Sequence, residues 1–170
     1  MRSLVIVIVL AACGGGGEDT PVDAPSIDSN PTCLIDGDYG ALGAKTGTTS
    51  QGPATLTVVL DPGPPRDSFF LKLEAGRGVF ASGLANGTYP LAGAELSSST
   101  CGVCVNIIAD IVAMQGPSKF YFATGGTVTL TNTNPPTGTL ANVTFQEVTV
   151  SGTPVMSGCT STIGSMQFGT

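Results

Sequence analysis

Cys101-Gly102-Val103-Cys104 has the spacing of a redox dithiol. A Cys-x-x-Cys pair at a helix N-terminus gains a lowered thiol pKa and exchanges disulfides. Here Val105, Ile107, Ala109 and Ile111 alternate with Asn106, Ile108 and Asp110 as in a strand, and no βαβ pattern surrounds the pair. The pair therefore reads as a local staple. Zinc would need four ligands from Cys33, Cys101, Cys104 and Cys159, of which only two are close in sequence. Asp36-Gly37-Asp38-Tyr39-Gly40 begins like a calcium loop, with Asp36 and Asp38 as the first ligands. Gly40 stands where a third Asp or Asn is required, and the later bidentate Glu is missing. A turn held by Asp side chains is the simpler reading. No metal and no other cofactor is expected.

A glycan hydrolase needs two carboxylates facing each other across a cleft. Glu74, Glu95, Asp110 and Glu147 are the domain acids read as lying within or beside strand-like segments, and no spacing pairs them. Histidine is absent, which removes the commonest general base, every Ser-His or Cys-His pair and the commonest metal ligand. Phe70, Tyr89 and Tyr121 would form an aromatic ligand platform if exposed. Half-buried strand positions are their more ordinary role.

These residues must be held by elements that the composition already suggests. Of 170 residues only 11% are charged, whereas Thr occurs 22 times and Ser 14 times, giving a surface of hydroxyls rather than ions. Thr, Val and Ile favour strands, and the 24 Gly and 12 Pro punctuate turns. The net charge of −6, with few and scattered basic residues, excludes a nucleic-acid surface and electrostatic docking onto anionic lipid.

The N-terminus carries an address. After Met1-Arg2-Ser3, residues 4–12 have no polar side chain, too few for the ~20 residues of a membrane-spanning helix and suited to a secretory signal. Leu10-Ala11-Ala12-Cys13 resembles the bacterial lipobox, Leu-x-[Ala/Gly/Ser]-Cys. The resemblance implies cleavage before Cys13, a diacylglyceryl thioether on its sulfur and N-acylation by a palmitate-type chain. The mature chain would then hold 5 basic and 12 acidic residues, a net −7. It also implies a lipoprotein of the bacterial cell envelope, expected at the outer membrane on its periplasmic face or at the cell surface. Residues 13–32 follow as lipidated cysteine and tether. Residues 14–32, GGGGEDTPVDAPSIDSNPT, hold too little apolar surface to fold. As a flexible coil they span roughly 25 Å root-mean-square. Gly14–Gly17 follows no strand and opens no helix, so it is not a phosphate loop.

In an oxidising compartment the other four cysteines pair, with three possible connectivities. Chain entropy gives ~5 and ~2 kcal/mol for Cys33–Cys159 with Cys101–Cys104, and ~4 kcal/mol each for the crossed arrangement. These totals do not decide. Gly102, which permits a tight turn, tilts the choice slightly to the local ring.

Residues 33–170 are expected to form one domain. Leu56, Val58 and Leu60 alternate with Thr55 and Thr57, and Phe69, Leu71 and Leu73 with Phe70, Lys72 and Glu74. Asn86-Gly87 opens a short strand, and Val128 and Leu130 lie between Thr127, Thr129 and Thr131. Residues 127–132 and 139–150 read as a hairpin with a long turn through Asn134–Gly138. From Leu140 to Val150 the apolar phase slips twice. Either bulges sit near Asn142 and Gln146-Glu147, or both faces are covered. No amphipathic helix is evident. The expected fold is a single all-β, antiparallel β-sandwich of roughly eight to ten strands. The expected function is a non-catalytic binding or structural module, held to the membrane by its N-terminal lipid, with a glycan or an envelope protein as partner. The alternative is an envelope enzyme, either a carboxylate-dependent glycan hydrolase or a thiol oxidoreductase acting through CGVC.

Overall fold

Each alternating run of the sequence becomes a strand in the computed structural model. The structure describes Cys33, residues 38–49, Gly52 and residues 54–170. Residues 1–12, Cys13, the tether and Asp36 lie outside the described residues. The strands are β1 (Ala41–Thr48), β2 (Thr55–Asp61), β3 (Arg66–Leu73), β4 (Gly87–Pro90), β5 (Val103–Ile111), β6 (Lys119–Thr133), β7 (Pro136–Val148) and β8 (Thr160–Gly169). Two short 3-10 turns, Gly78–Phe80 and Gly93–Leu96, lie between β3 and β5.

The sandwich expectation is corrected. The sheet closes on itself as a seven-strand barrel, in the ring order β1-β2-β3-β5-β6-β7-β8, with β4 added along β6. A period-two pattern says that one face of a strand is buried. It does not say whether that face meets a second sheet or the far wall of its own. Neighbours in a seven-membered ring cannot all run antiparallel, so one pair must be parallel. That pair is β1 with β8, the first and last strands, and it closes the ring.

Closure depends on β1 lying close to β2. A Cβ on Gly47 would stand 2.5 Å from the Thr57 carbonyl oxygen and 2.8 Å from both Leu56 Cδ1 and Val58 Cγ2, so no larger residue fits. The interior is filled rather than hollow. Leu56, Phe69, Ile107, Tyr121, Phe145 and Ile163 are all buried in one continuous core. Apolar residues point inward and threonines outward, the reverse of a membrane-spanning barrel.

The two phase slips in β7 have different causes. Near Asn142 the β6–β7 register shifts between Ala123 and Gly125 and again between Gly125 and Thr127. Asn142 itself has a left-handed φ of 48°, so a real irregularity lies there. Around Gln146-Glu147 no shift occurs. Val148 is buried on the outer face, in a second small cluster with Cys101, Cys104 and Phe122, against which Phe120 packs. The hairpin turn is also shorter than expected. Thr133 pairs with Pro136, so only Asn134 and Pro135 form the loop.

The barrel has two distinct ends. At one, the chain between β3 and β5 makes an excursion through both 3-10 turns and β4, adding Phe80 and Leu91 to the core. We call this the insert end. At the other, β1 and β8 begin, and Cys33 is joined to Cys159. This is the tether end.

Candidate functional site

The acid residues serve as acceptors for the fold. Glu95 is 1% exposed. Its Oε1 accepts from the Val79 N–H at 2.8 Å, and its Oε2 accepts from the N–H groups of Gly102 at 2.9 Å and Val103 at 2.6 Å. A buried carboxylate needs such a set of donors to replace water. The nest is close-fitting: a Cβ on Gly78 would collide with Glu95 Oε1, and one on Gly102 would stand 2.5 Å from the Arg77 carbonyl. Glu74, also at the insert end, forms an ion pair with Lys72.

At the tether end Asp110 lies 3.6 Å from Lys119 Nζ and accepts from the Ser118 hydroxyl at 3.2 Å. Glu147 Oε2 accepts from the Cys159 N–H at 2.8 Å. Two of the four acids are thus at one end of the barrel and two at the other, each with partners of its own, although Asp110 Oδ1 is buried without a hydrogen-bond partner among the described residues.

Asp67 is a fifth acid, and sequence reasoning passed over it. It is 2% exposed. Oδ1 accepts from the Asp110 N–H at 2.9 Å, and Oδ2 accepts from the Tyr39 hydroxyl at 2.7 Å. The β3–β5 register shifts between Arg66 and Ser68, and Asp110 has a φ of 54°. The carboxylate here replaces a ladder carbonyl at a bulge. The polar run Arg66-Asp67-Ser68 just before Phe69 was the available signal, since a charged residue opening a buried strand must find a partner.

The cysteines form the local ring Cys101–Cys104 and the long link Cys33–Cys159, with Cα separations of 5.3 and 5.5 Å. Cys101 is fully buried and Cys104 is 7% exposed. Disulfide exchange needs an accessible sulfur. Asp38 Oδ1 accepts from the Gly40 N–H at 3.2 Å and from the Thr162 hydroxyl, and so closes a turn that ties the entry of β1 to β8. Among the described residues no three His, Cys, Asp or Glu side chains are grouped to hold a metal.

The aromatic residues are dispersed. Tyr121 lies wholly inside the barrel. Phe70 is half-buried, on the opposite face of β3 from the core residues Phe69 and Leu71. Tyr89 packs edge-on against Phe80, with ring centroids 5.0 Å apart, and donates to the Ala85 carbonyl at 2.8 Å.

Among the described residues, a groove of about 360 Å³ lies on the outer wall near the insert end. Its lining includes Lys45 of β1, Thr131 of β6, Thr137 and Thr139 of β7, and Gln167 of β8. Thr129, Thr139 and Gln167 stand side by side across β6, β7 and β8, and Thr88 joins the row from β4. Hydroxyls pair across strands, Thr88 with Thr129 at 3.0 Å and Thr131 with Thr137 at 2.8 Å. Lys45 Nζ donates to the Leu60 carbonyl at 3.4 Å. The Thr127-x-Thr129-x-Thr131-x-Thr133 spacing was visible in the sequence as the outward half of an alternation. Its convergence with β7 and β8 depended on register. Comparison with protein-family models, with curated proteins and with solved structures finds no match.

Proposed function

We propose that this chain is a lipid-anchored module of the bacterial envelope that is not a catalyst and presents its hydroxyl-lined groove to a neutral polar ligand, such as a glycan chain. The groove carries the proposal. The Thr131–Thr137 hydroxyl pair, Thr139 and the Gln167 amide supply uncharged donors and acceptors beside the single ammonium of Lys45, a set that suits sugar hydroxyls. Its volume of about 360 Å³ lies within the usual range for small-ligand sites, ~300–1,000 Å³. The anchor reading rests on Leu10-Ala11-Ala12-Cys13. Two acyl chains hold a protein stably where one does so only marginally.

Two measurements test the parts separately. Cys13→Ser should move the protein from the membrane to the soluble fraction, and unchanged partitioning removes the anchor. The soluble Cys13→Ser chain should bind members of an array of envelope glycans. Adding Thr131→Val and Thr137→Val should weaken that binding about tenfold, as expected when hydrogen bonds to the ligand are lost. Binding that ignores both substitutions places the ligand elsewhere.

A further inference from the structure

Three loops leave the barrel at the tether end, residues 62–65, 112–118 and 149–159, and none contains a charged residue. Two of them carry methionines in full solvent, Met114 at 106% exposure and Met156 at 94%. Scattered exposed apolar residues are ordinary. These two lie on loops that flank the adjacent strands β6 and β7 at one end of the molecule. Val150 is also exposed, but its hairpin tip folds back so that Gly152 lies against Ser98.

The chain from Cys13 arrives at this same end. Cys33 is bonded to Cys159, the last residue of the loop that carries Met156. Tyr39 then continues alongside β8, its N–H donating to the Thr162 carbonyl at 3.0 Å. A flexible coil of the 19 residues 14–32 would span roughly 25 Å root-mean-square and so keep these loops close to whatever holds Cys13. Such tethering turns a weak contact into an effectively intramolecular one at millimolar local concentration.

We propose that the tether end seats on the bilayer that carries the anchor, with Met114 and Met156 entering the headgroup region and the groove facing away. The inference rests on the lipid-anchor reading of Cys13. The occupant is a neutral lipid surface. A chain of net −7 gains nothing from anionic lipid, and uncharged loops lose little solvation on entering the boundary between headgroups and acyl chains. Methionine suits such a surface, being unbranched, flexible and apolar.

The native chain supplies its own probes. Its methionines are Met1, in the segment removed on maturation, Met114, Met156 and Met166, the last buried at 2% exposure. The full chain as matured in a bacterial host, on phosphatidylcholine vesicles, is treated with periodate, an anion excluded from the bilayer, and sulfoxide formation is followed by mass spectrometry. The Cys13→Ser chain with the same vesicles is the reference. Met114 and Met156 should oxidise about tenfold more slowly in the anchored chain, as expected for burial at the interface, with Met166 inert in both. Vesicle flotation is read in parallel. If the matured chain floats but Met114 and Met156 oxidise as in the reference, the seating is wrong and the anchor stands. If it does not float, the anchor reading fails and takes the seating with it. Orientation is read separately. The sequence has no Trp, so Met114→Trp and Ala75→Trp report on opposite ends. Brominated lipid should quench the first and not the second, and equal quenching overturns the end-on orientation.

Discussion

The insert end and the tether end of this barrel solve one problem, closing an open mouth, with different chemistry. At the insert end the chain itself folds back, drives Phe80 and Leu91 into the core and is fixed by the Glu95 carboxylate bridging Val79, Gly102 and Val103. At the tether end a disulfide between Cys33 and Cys159 and the Asp67 link from Tyr39 to Asp110 hold the strand origins. The loops beyond them are left exposed, with apolar tips at Met114 and Met156. The insert end still shows Val79 and Leu96 at 41% exposure, well short of the full exposure of Met114 and Met156. An end held only at its base keeps surface for something else.

Opening the long disulfide should have the largest effect. Cys33 and Cys159 are 126 residues apart, so the link restrains nearly the whole unfolded domain. Loop-closure entropy puts its contribution at about 5 kcal/mol, comparable with the total stability of many domains. Cys33→Ser with Cys159→Ser should lower the urea midpoint sharply. A loss below about 1 kcal/mol would mean that the Asp67 network alone secures the tether end. Glu95→Ala comes next, at about 4 kcal/mol, because it strands three N–H donors that each cost ~1–3 kcal/mol when buried and unpaired, with partial relief by water. Chemical denaturation of this variant measures it. A near-neutral result would show that the insert packs through Phe80 and Leu91 and that the nest is incidental.

The same contrast explains what could be read from residues alone. The wall was legible, since Leu56, Val58, Leu60, Phe69, Leu71 and Leu73 all face the core as their alternation implied. Closure was not, because it is decided by pairings between chain ends, β1 with β8, that leave no local trace. Gly47 is needed for it, yet one glycine in Thr-Gly-Thr looks like any other. Val148 looked out of phase because its partner cover, the Cys101–Cys104 ring, comes from more than forty residues earlier. Glu95 was noticed as a strand-side acid with chemical potential, and its three donors appear only once Gly78 and Gly102 are brought round it. The groove was half legible, as outward threonines on β6. Its other half depends on the β6–β7–β8 register.

The smallest predicted effect is the sharpest test of the contrast between the ends. Met114→Ser with Met156→Ser removes two large apolar side chains, a change that costs ~2–5 kcal/mol per residue when made in a core. Both residues lie in full solvent, so the double variant should keep its denaturation midpoint to within about 0.5 kcal/mol, as for ordinary surface substitutions. Phe69→Ala, at a fully buried position on β3, should cost ~3–5 kcal/mol in the same assay and sets the scale. A loss above about 1 kcal/mol for the methionine pair would mean that the loops pack on the barrel in solution. The tether end would then be sealed like the insert end, and its apolar tips would be part of the fold rather than surface held in reserve.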